Sequence, residues 1–199
     1  MCFSRIIEKL FPFGHYLVRS RRQRRHCTSK NILSEQEFAR YSTLAVDQLT
    51  RRLEDERQRA SAMDEKTFKL TLSLSVGLTV LGSTVALLVN GVSSPTVQIA
   101  LIIMIGLGLF YVLAAGFVAV GALRTLPSYG YGTRFLLDQS VDPPQILADA
   151  LARQETMNVV RHLRNEAAYQ AMRNGLLFLF AGIMVFAGTL AYEALCPGY

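Results

Sequence analysis

The sequence contains no tryptophan, only three cysteines and, between Leu70 and Leu123, no charged side chain at all. So few cysteines exclude a disulfide-stapled scaffold, in which bridges substitute for a core. The charge gap excludes more. All 21 Lys and Arg fall in two blocks, Arg5 to Lys69 and Arg124 to Arg173, and none lies in 175–199. Soluble domains spread their charge over the whole surface. A 199-residue chain that is 51% apolar, 18% charged and segregated in this way is not an ordinary small soluble enzyme. Its function is therefore argued from a membrane.

Three runs are long enough to span one. Leu70 to Val89 is 20 residues, sufficient at about 1.5 Å per residue for a hydrocarbon core of about 30 Å. It is a weak span, because six Ser or Thr interrupt its 11 Leu or Val. Val97 to Leu123 is more apolar, and Gly106, Gly108, Gly116 and Gly121 offer close-packing surfaces. Asn90 to Thr96 joins these two as a tight hairpin. The third run is Gly175 to Leu195, with one acid, Glu193, near its end.

Positive-inside bias places 1–69 and 124–174 in the cytoplasm, and the hairpin tip and the tail from Cys196 on the outer side. A cleaved signal peptide is not expected, since Met1 to Phe13 is broken by Arg5, Glu8 and Lys9. Cys2 and Cys27 then face one compartment and Cys196 the other. Three free thiols are expected, with a Cys196 bridge between subunits as the alternative.

The arm, residues 1–33, carries Phe3, Ile6, Ile7, Leu10, Phe11 and Phe13 and then Arg19, Arg21, Arg22, Arg24 and Arg25. It reads as an interfacial anchor with its arginines on anionic lipid. Nucleic acid is the rival polyanion, but no groove-reading or aromatic-interleaved motif accompanies the cluster. A solvated topology determinant is the remaining reading.

Ser34-Glu35-Gln36-Glu37 reads as a capping box, and no Pro or Gly follows until Gly77, so one helix is expected from 34 through the first span. Leu49, Leu53, Ala60, Met63, Thr67 and Leu70 recur at coiled-coil spacing, broken only by Glu56. That seam needs a partner. After a mobile-looking stretch, Ser128 to Gly132, Asp142-Pro143-Pro144 starts a second long helix, about 144–174, which leads into the third span. Its seam of Ile146, Ala150, Met157, Val160, Ala167 and Ala171 fits the first helix of the same chain or of another copy, and the sequence leaves both open.

The amphipathic Leu49 to Lys69, the hairpin, Ala122-Leu123-Arg124-Thr125-Leu126-Pro127 at the inner boundary, and Arg161 to Arg173 before the last span form a pattern. It resembles the transmembrane effector module of Pycsar anti-phage systems and, second, the SLATT membrane effectors. The resemblance covers about Tyr41 to Leu195 and implies a bacterial inner-membrane effector. Such an effector homo-oligomerises and permeabilises the bilayer on a signal from a nucleotide cyclase or sensor encoded nearby. Residues 1–33 are too short for a cyclic-nucleotide-binding domain, so the trigger would arrive through a partner or the cytoplasmic helices.

No catalytic constellation is visible. His15, His26 and His162 are isolated, and there is no phosphate loop or nucleophile elbow, so neither catalysis, a metal nor a cofactor is expected. Thr71, Ser75, Thr79 and Ser83 form a hydroxyl stripe on the first span that reads as helix glue or as the lining of a pore. Glu193, about one turn from the outer boundary, reads as a functional intramembrane acid or as an ordinary interfacial one. The sequence thus predicts an all-α integral membrane protein with three spans and long cytoplasmic helical extensions. Its function is that of an effector or, alternatively, of a non-catalytic accessory or scaffold subunit of a larger membrane complex.

Overall fold

The structure, a computed structural model, describes residues 11–27, 35–41, 43–90, 94–120, 126–130, 132, 135 and 142–195, and the side chains of these except at 35–37, 71, 73 and 75–90. It is all-helical, with no strand among the described residues. The helices are α1 (Pro12–Cys27), α2 (Glu35–Tyr41), α3 (Val46–Asn90), α4 (Pro95–Val120) and α5 (Pro143–Leu195).

One expectation is corrected. The helix predicted from 34 onward is two helices, because the chain turns at Thr43 and Leu44. The Thr43 hydroxyl donates to the Arg40 carbonyl at 2.7 Å, and Leu44 N–H donates to the Tyr41 carbonyl at 3.0 Å. Side-chain competition for a helix carbonyl ends α2 without Pro or Gly. Ala45 then caps α3: its carbonyl accepts from Gln48 and Leu49, and its own N–H donates to the Gln48 side chain at 3.1 Å. This is the return half of a capping box, supplied by the glutamine alone. Ser94 and Asp142 carbonyls cap α4 and α5, and a proline follows each at the first helical position, where no N–H is missed.

The chain divides into two compact units. The first comprises 1–13, 69–120 and 167–199, and the second 14–68 and 121–166. Helices α3 and α5 each contribute to both.

In the first unit α4 and the C-terminal part of α5 run antiparallel, with Leu101, Ile105, Tyr111, Val112 and Ala115 packing among Ala171 and Leu179. Gly108 and Gly175 make the approach close. A Cβ on Gly108 would lie 2.7 Å from Leu179 Cγ, and one on Gly175 would lie 2.8 Å from the Gly108 carbonyl oxygen. Small residues of this kind let backbones touch where lipid gives no hydrophobic drive between helices. Of the other glycines expected to do this, Gly106 and Gly116 face open space, and Gly121 is outside the described residues. An aromatic series crosses the unit: Tyr111 stacks on Phe178 with centroids 5.8 Å apart, and Phe13 meets both Tyr111 and Phe110 edge-on or tilted.

In the second unit α3 and α5 run parallel. Leu49 and Leu53 pack on Leu147, Ala150 and Leu151, with Tyr41, Tyr129 and Phe135 at the margin. Another cluster gathers Cys27, Leu126, Ala152, Met157 and Val160, so α5 is covered on two faces. Of the two partners left open for the seam, α5 of the same chain covers Leu49 and Leu53. Within the stretch read as mobile-looking, Tyr129 and Gly130 take part in hydrogen bonds. Tyr129 N–H donates to Gln154 Oε1 at 3.1 Å, Arg57 donates to the Tyr129 and Gly130 carbonyls, and Gly130 has φ +83°. Only glycine fits there, since a Cβ would also stand 2.8 Å from Leu53 Cδ2.

Candidate functional site: a charged helix seam

Beyond Leu53 the α3–α5 seam of the second unit changes from apolar to polar. On α5, Gln154, Asn158, Arg161 and Asn165 recur in steps of four, three and four, and on α3 Glu56, Ala60, Met63, Asp64 and Thr67 occupy the matching face. Glu56, which broke the apolar series in sequence, accepts from Asn158 Nδ2 at both its backbone carbonyl, 2.8 Å, and its carboxylate, 2.6 Å. Asn158 Oδ1 in turn accepts from Gln154, 3.3 Å, and Arg161, 3.1 Å. Further along, the Thr67 hydroxyl bonds to Asn165, and Asn165 Nδ2 donates to the Met63 carbonyl at 3.2 Å.

The centre of this network is Asp64. Its two oxygens accept from Arg161 Nε, 3.2 Å, and Arg164 Nη2, 2.6 Å. The arginine side chains are 2% and 1% exposed, whereas the Asp64 side chain is 38% exposed. Arg161 also donates to Asn158 and to the Leu126 carbonyl. Arg164 is less well served: its Nε and Nη1 are buried without a hydrogen-bond partner among the described residues. Two buried cations thus share one carboxylate. Desolvating a charge costs several kcal/mol, by order of magnitude, and a shared acid offsets that incompletely.

A second polar group closes the other cluster. Arg153 forms an ion pair with Asp149 at 2.7 Å, donates to the Cys27 carbonyl and lies over the Tyr129 ring at 6.0 Å. The hydrogen bond to Asp149 holds the guanidinium more firmly charged. Burial pushes the Cys27 thiol up from its ordinary range, opposed by Thr156 and Arg153, and burial likewise raises Tyr129. Burial thus favours the neutral thiol, the less nucleophilic form. A shallow groove of about 270 Å³ opens beside the seam, lined by Glu56, Arg59, Glu155, Asn158, Val159 and His162. Its charges are engaged: Glu155 accepts from Tyr41 Oη at 2.7 Å, Arg59 pairs with Glu56, and His162 lies 4.0 Å from Glu166. Among the described residues no group of three His, Cys, Asp or Glu could hold a metal.

The residues singled out in sequence separate here. Leu49, Leu53 and Ala60 are buried and Met63 is half-buried, all within the second unit. Arg19, Arg21, Arg22, Arg24 and Arg25 are exposed on α1. Glu193 is half-buried two residues before the end of α5. The side chains of Thr71, Ser75, Thr79 and Ser83 lie outside the described residues, although their backbone is helical. What sequence reasoning missed is the triad of Asp64, Arg161 and Arg164. The available signal was Gln154, Asn158, Arg161 and Asn165 at seam spacing on a helix whose small residues had taken the attention.

The first unit presents the other candidate surface. Among the described residues two helices, α4 and α5, are long and apolar enough to cross a membrane by length and composition. Only 33% of the apolar stretch of α4 and 17% of that of α5 is buried, whereas a core helix of a soluble protein would be mostly covered. Phe117 at 77%, Ile99, Phe180 and Leu177 lie on that exterior. It is an apolar surface compatible with membrane association. The expected first span, 70–89, has most of its side chains outside the described residues. No family model, curated protein or solved structure matches the chain.

Proposed function

We propose that the chain is a three-span, non-catalytic effector of the bacterial inner membrane, with the second unit on the cytoplasmic side and the C-terminus outside. It disrupts the bilayer when a partner or a nucleotide signal opens the α3–α5 seam. The observation that carries this reading is the composition of the seam. Where α3 leaves its apolar contacts, it meets α5 through Asp64, Arg161, Arg164, Asn158 and Asn165, groups that water can solvate once the helices part. An apolar seam would resist opening by the full cost of wetting it; a charged one resists far less. Both helices contribute residues to the second unit and to the first, and the proposal takes them as the route from the seam to the apolar segments. Oligomerisation would then use faces bared by opening, since Leu49 and Leu53 are covered in the resting chain.

Recording membrane potential in bacteria that express the protein tests this. Asp64→Asn removes the acid that both arginines share and is expected to depolarise cells without any trigger, whereas the intact chain depolarises them only with its genomic neighbours under phage challenge. Adding Arg164→Gln, which removes the unserved cation, should restore quiescence. Unchanged potential in both cases, with carbonate-resistant insertion retained, would remove the mechanism. An accessory or scaffold subunit of a larger membrane complex is the second reading, favoured by the intrachain cover on the seam. Co-purification of a fixed stoichiometric partner in mild detergent would select it.

A further inference from the structure

Helix α1 is buried along one face and bare along the other, and its bare face changes character partway along its axis. Pro12, Tyr16, Ser20 and Cys27 are buried, with Gln23 half-buried, in steps of four, four, three and four, which is one side of a helix. The opposite side is a single stripe: Phe11, Gly14, Val18, Arg21 and Arg25, in steps of three, four, three and four, every one exposed. Its first part is apolar, with Phe11 53% and Val18 72% exposed, and Leu17 beside it is 50% exposed. From Arg19 to the end of α1 the exposed side chains are five guanidinium groups and the His26 imidazole, with no apolar one among them.

A helix lying flat on a membrane separates apolar from basic residues around its circumference, each set keeping its side from end to end. Here one side carries both, in succession. Only a boundary that cuts across the helix axis satisfies such a stripe. Phe11 and Phe13 identify what lies on the apolar side of that boundary. Their rings meet at 6.2 Å, and Phe13 meets the exposed Phe110 of α4 at 6.1 Å, so Phe11 and Phe13 adjoin a helix suited to lipid.

We propose that α1 stands across the headgroup layer of an anionic membrane rather than along it. Phe11, Leu17 and Val18 reach the acyl chains, and Arg19, Arg21 and Arg22 contact lipid phosphates. Phe11 to Val18 spans about 10 Å of helix axis, comparable to the depth at which interfacial helices sit. This rests on the membrane reading above and deepens it by assigning the arm a depth, an orientation and a ligand class.

The absence of tryptophan makes the test direct, because a single introduced indole reports alone. Phe11→Trp, Val18→Trp, Arg21→Trp and Arg22→Trp are made in the full chain, reconstituted in phosphatidylglycerol vesicles, and challenged with deeply brominated lipid and with aqueous iodide. Phe117→Trp on α4 serves as the reference. The expected result is a step: lipid quenches positions 11 and 18 and iodide spares them, with the reverse at 21 and 22. A flat helix would make all four alike and overturn the proposal, and so would shielding of 11 and 18 from both quenchers, the mark of a second protein copy. If Phe117→Trp itself escapes the lipid quencher, the membrane reading falls too; if it is quenched and Val18→Trp is not, only the proposal for α1 falls. Replacing Arg19, Arg21 and Arg22 with Gln beside Val18→Trp should erase the difference in quenching between phosphatidylglycerol and phosphatidylcholine vesicles. A difference that persists would overturn the phosphate contact.

Discussion

The two units bring helices together by opposite means. In the first, α4 and α5 meet at Gly108 and Gly175 with no charged group in the cluster, and the contact is shape alone. In the second, beyond the apolar contacts of Leu49 and Leu53, α3 and α5 meet through an acid, two buried arginines and a series of amides, and that part of the contact is charge and hydrogen bonding. The difference follows from the solvents these surfaces suit. Between helices in lipid there is no water to expel, so affinity comes from close packing of small residues. In water a charged seam gains little net stability, because the same groups are well solvated apart. What it gains is register, since Asp64 can serve both arginines only where the helices are aligned. The proposed opening of the seam draws on this contrast: the second unit's charged groups can be solvated apart, whereas the first unit's close glycine contact cannot be replaced by water.

The largest effect should come from leaving the charged seam unbalanced. Asp64→Ala strands Arg161 and Arg164, both nearly without solvent contact, and breaking a buried pair in this way costs about 3–5 kcal/mol. The check is amide exchange across 56–68 and 154–166 in detergent, which should accelerate while 101–115 stays protected. Replacing all three with apolar residues, Asp64→Leu, Arg161→Met and Arg164→Met, should regain most of that loss. Equal acceleration in both units would mean that the seam is not a separable element.

The first unit is tested by bulk. At Gly108 an added side chain meets Leu179, and at Gly175 it meets Val112 and the Gly108 carbonyl, so Gly108→Leu and Gly175→Leu overfill a closed contact at a cost of about 1–3 kcal/mol. Gly106→Leu and Gly116→Leu, whose positions face open space, should be nearly silent. Thermal unfolding in detergent ranks the four. Were Gly106→Leu as damaging as Gly108→Leu, the antiparallel packing of α4 on α5 would be wrong.

How far these features could be read from sequence depends on what specifies each of them. Helix existence and the Pro143 start were legible because hydropathy and a proline at the first helical position act locally. The turn at Thr43 was not, since it depends on which way a hydroxyl bonds, and the same residue inside a helix would look identical in sequence. The apolar seam was found at Leu49 and Leu53, but Glu56 was read as its interruption because its acceptor role needs Asn158, 102 positions away. The Asp64 cluster has the same origin, with its partners 97 and 100 positions distant. Four glycines of the second span looked equivalent, and only the facing residue on α5 distinguishes Gly108. Periodicity reveals which face of a helix is buried; it does not reveal which distant side chain arrives there.

The smallest effect, and the one that probes the second unit without mutation, is its response to alkaline pH. Cys27 is 2% exposed and Tyr129 half-buried, and burial raises both groups above their ordinary values. A thiol or phenol with a raised folded-state value stays neutral in the fold at a pH where the unfolded chain has begun to ionise it. It therefore contributes stability that is complete below the unfolded value and is lost as pH climbs through the folded one. The second unit should thus loosen as pH rises above the ordinary thiol range, while the contact at Gly108 and Gly175, whose nearest side chains are Leu179 and Val112, should hold. Alkylation of Cys27 reads this out: iodoacetamide should modify it slowly at neutral pH and faster with rising pH than thiolate formation alone accounts for, because opening adds to ionisation. Asp149→Asn weakens the hold on Arg153, whose N–H donates to the Cys27 carbonyl, and should bring that opening to lower pH. A modification rate that follows simple thiol titration with no added opening would show the Cys27 cluster to be as tightly closed as the glycine contact, and the contrast between the units would then reduce to the Asp64 seam alone.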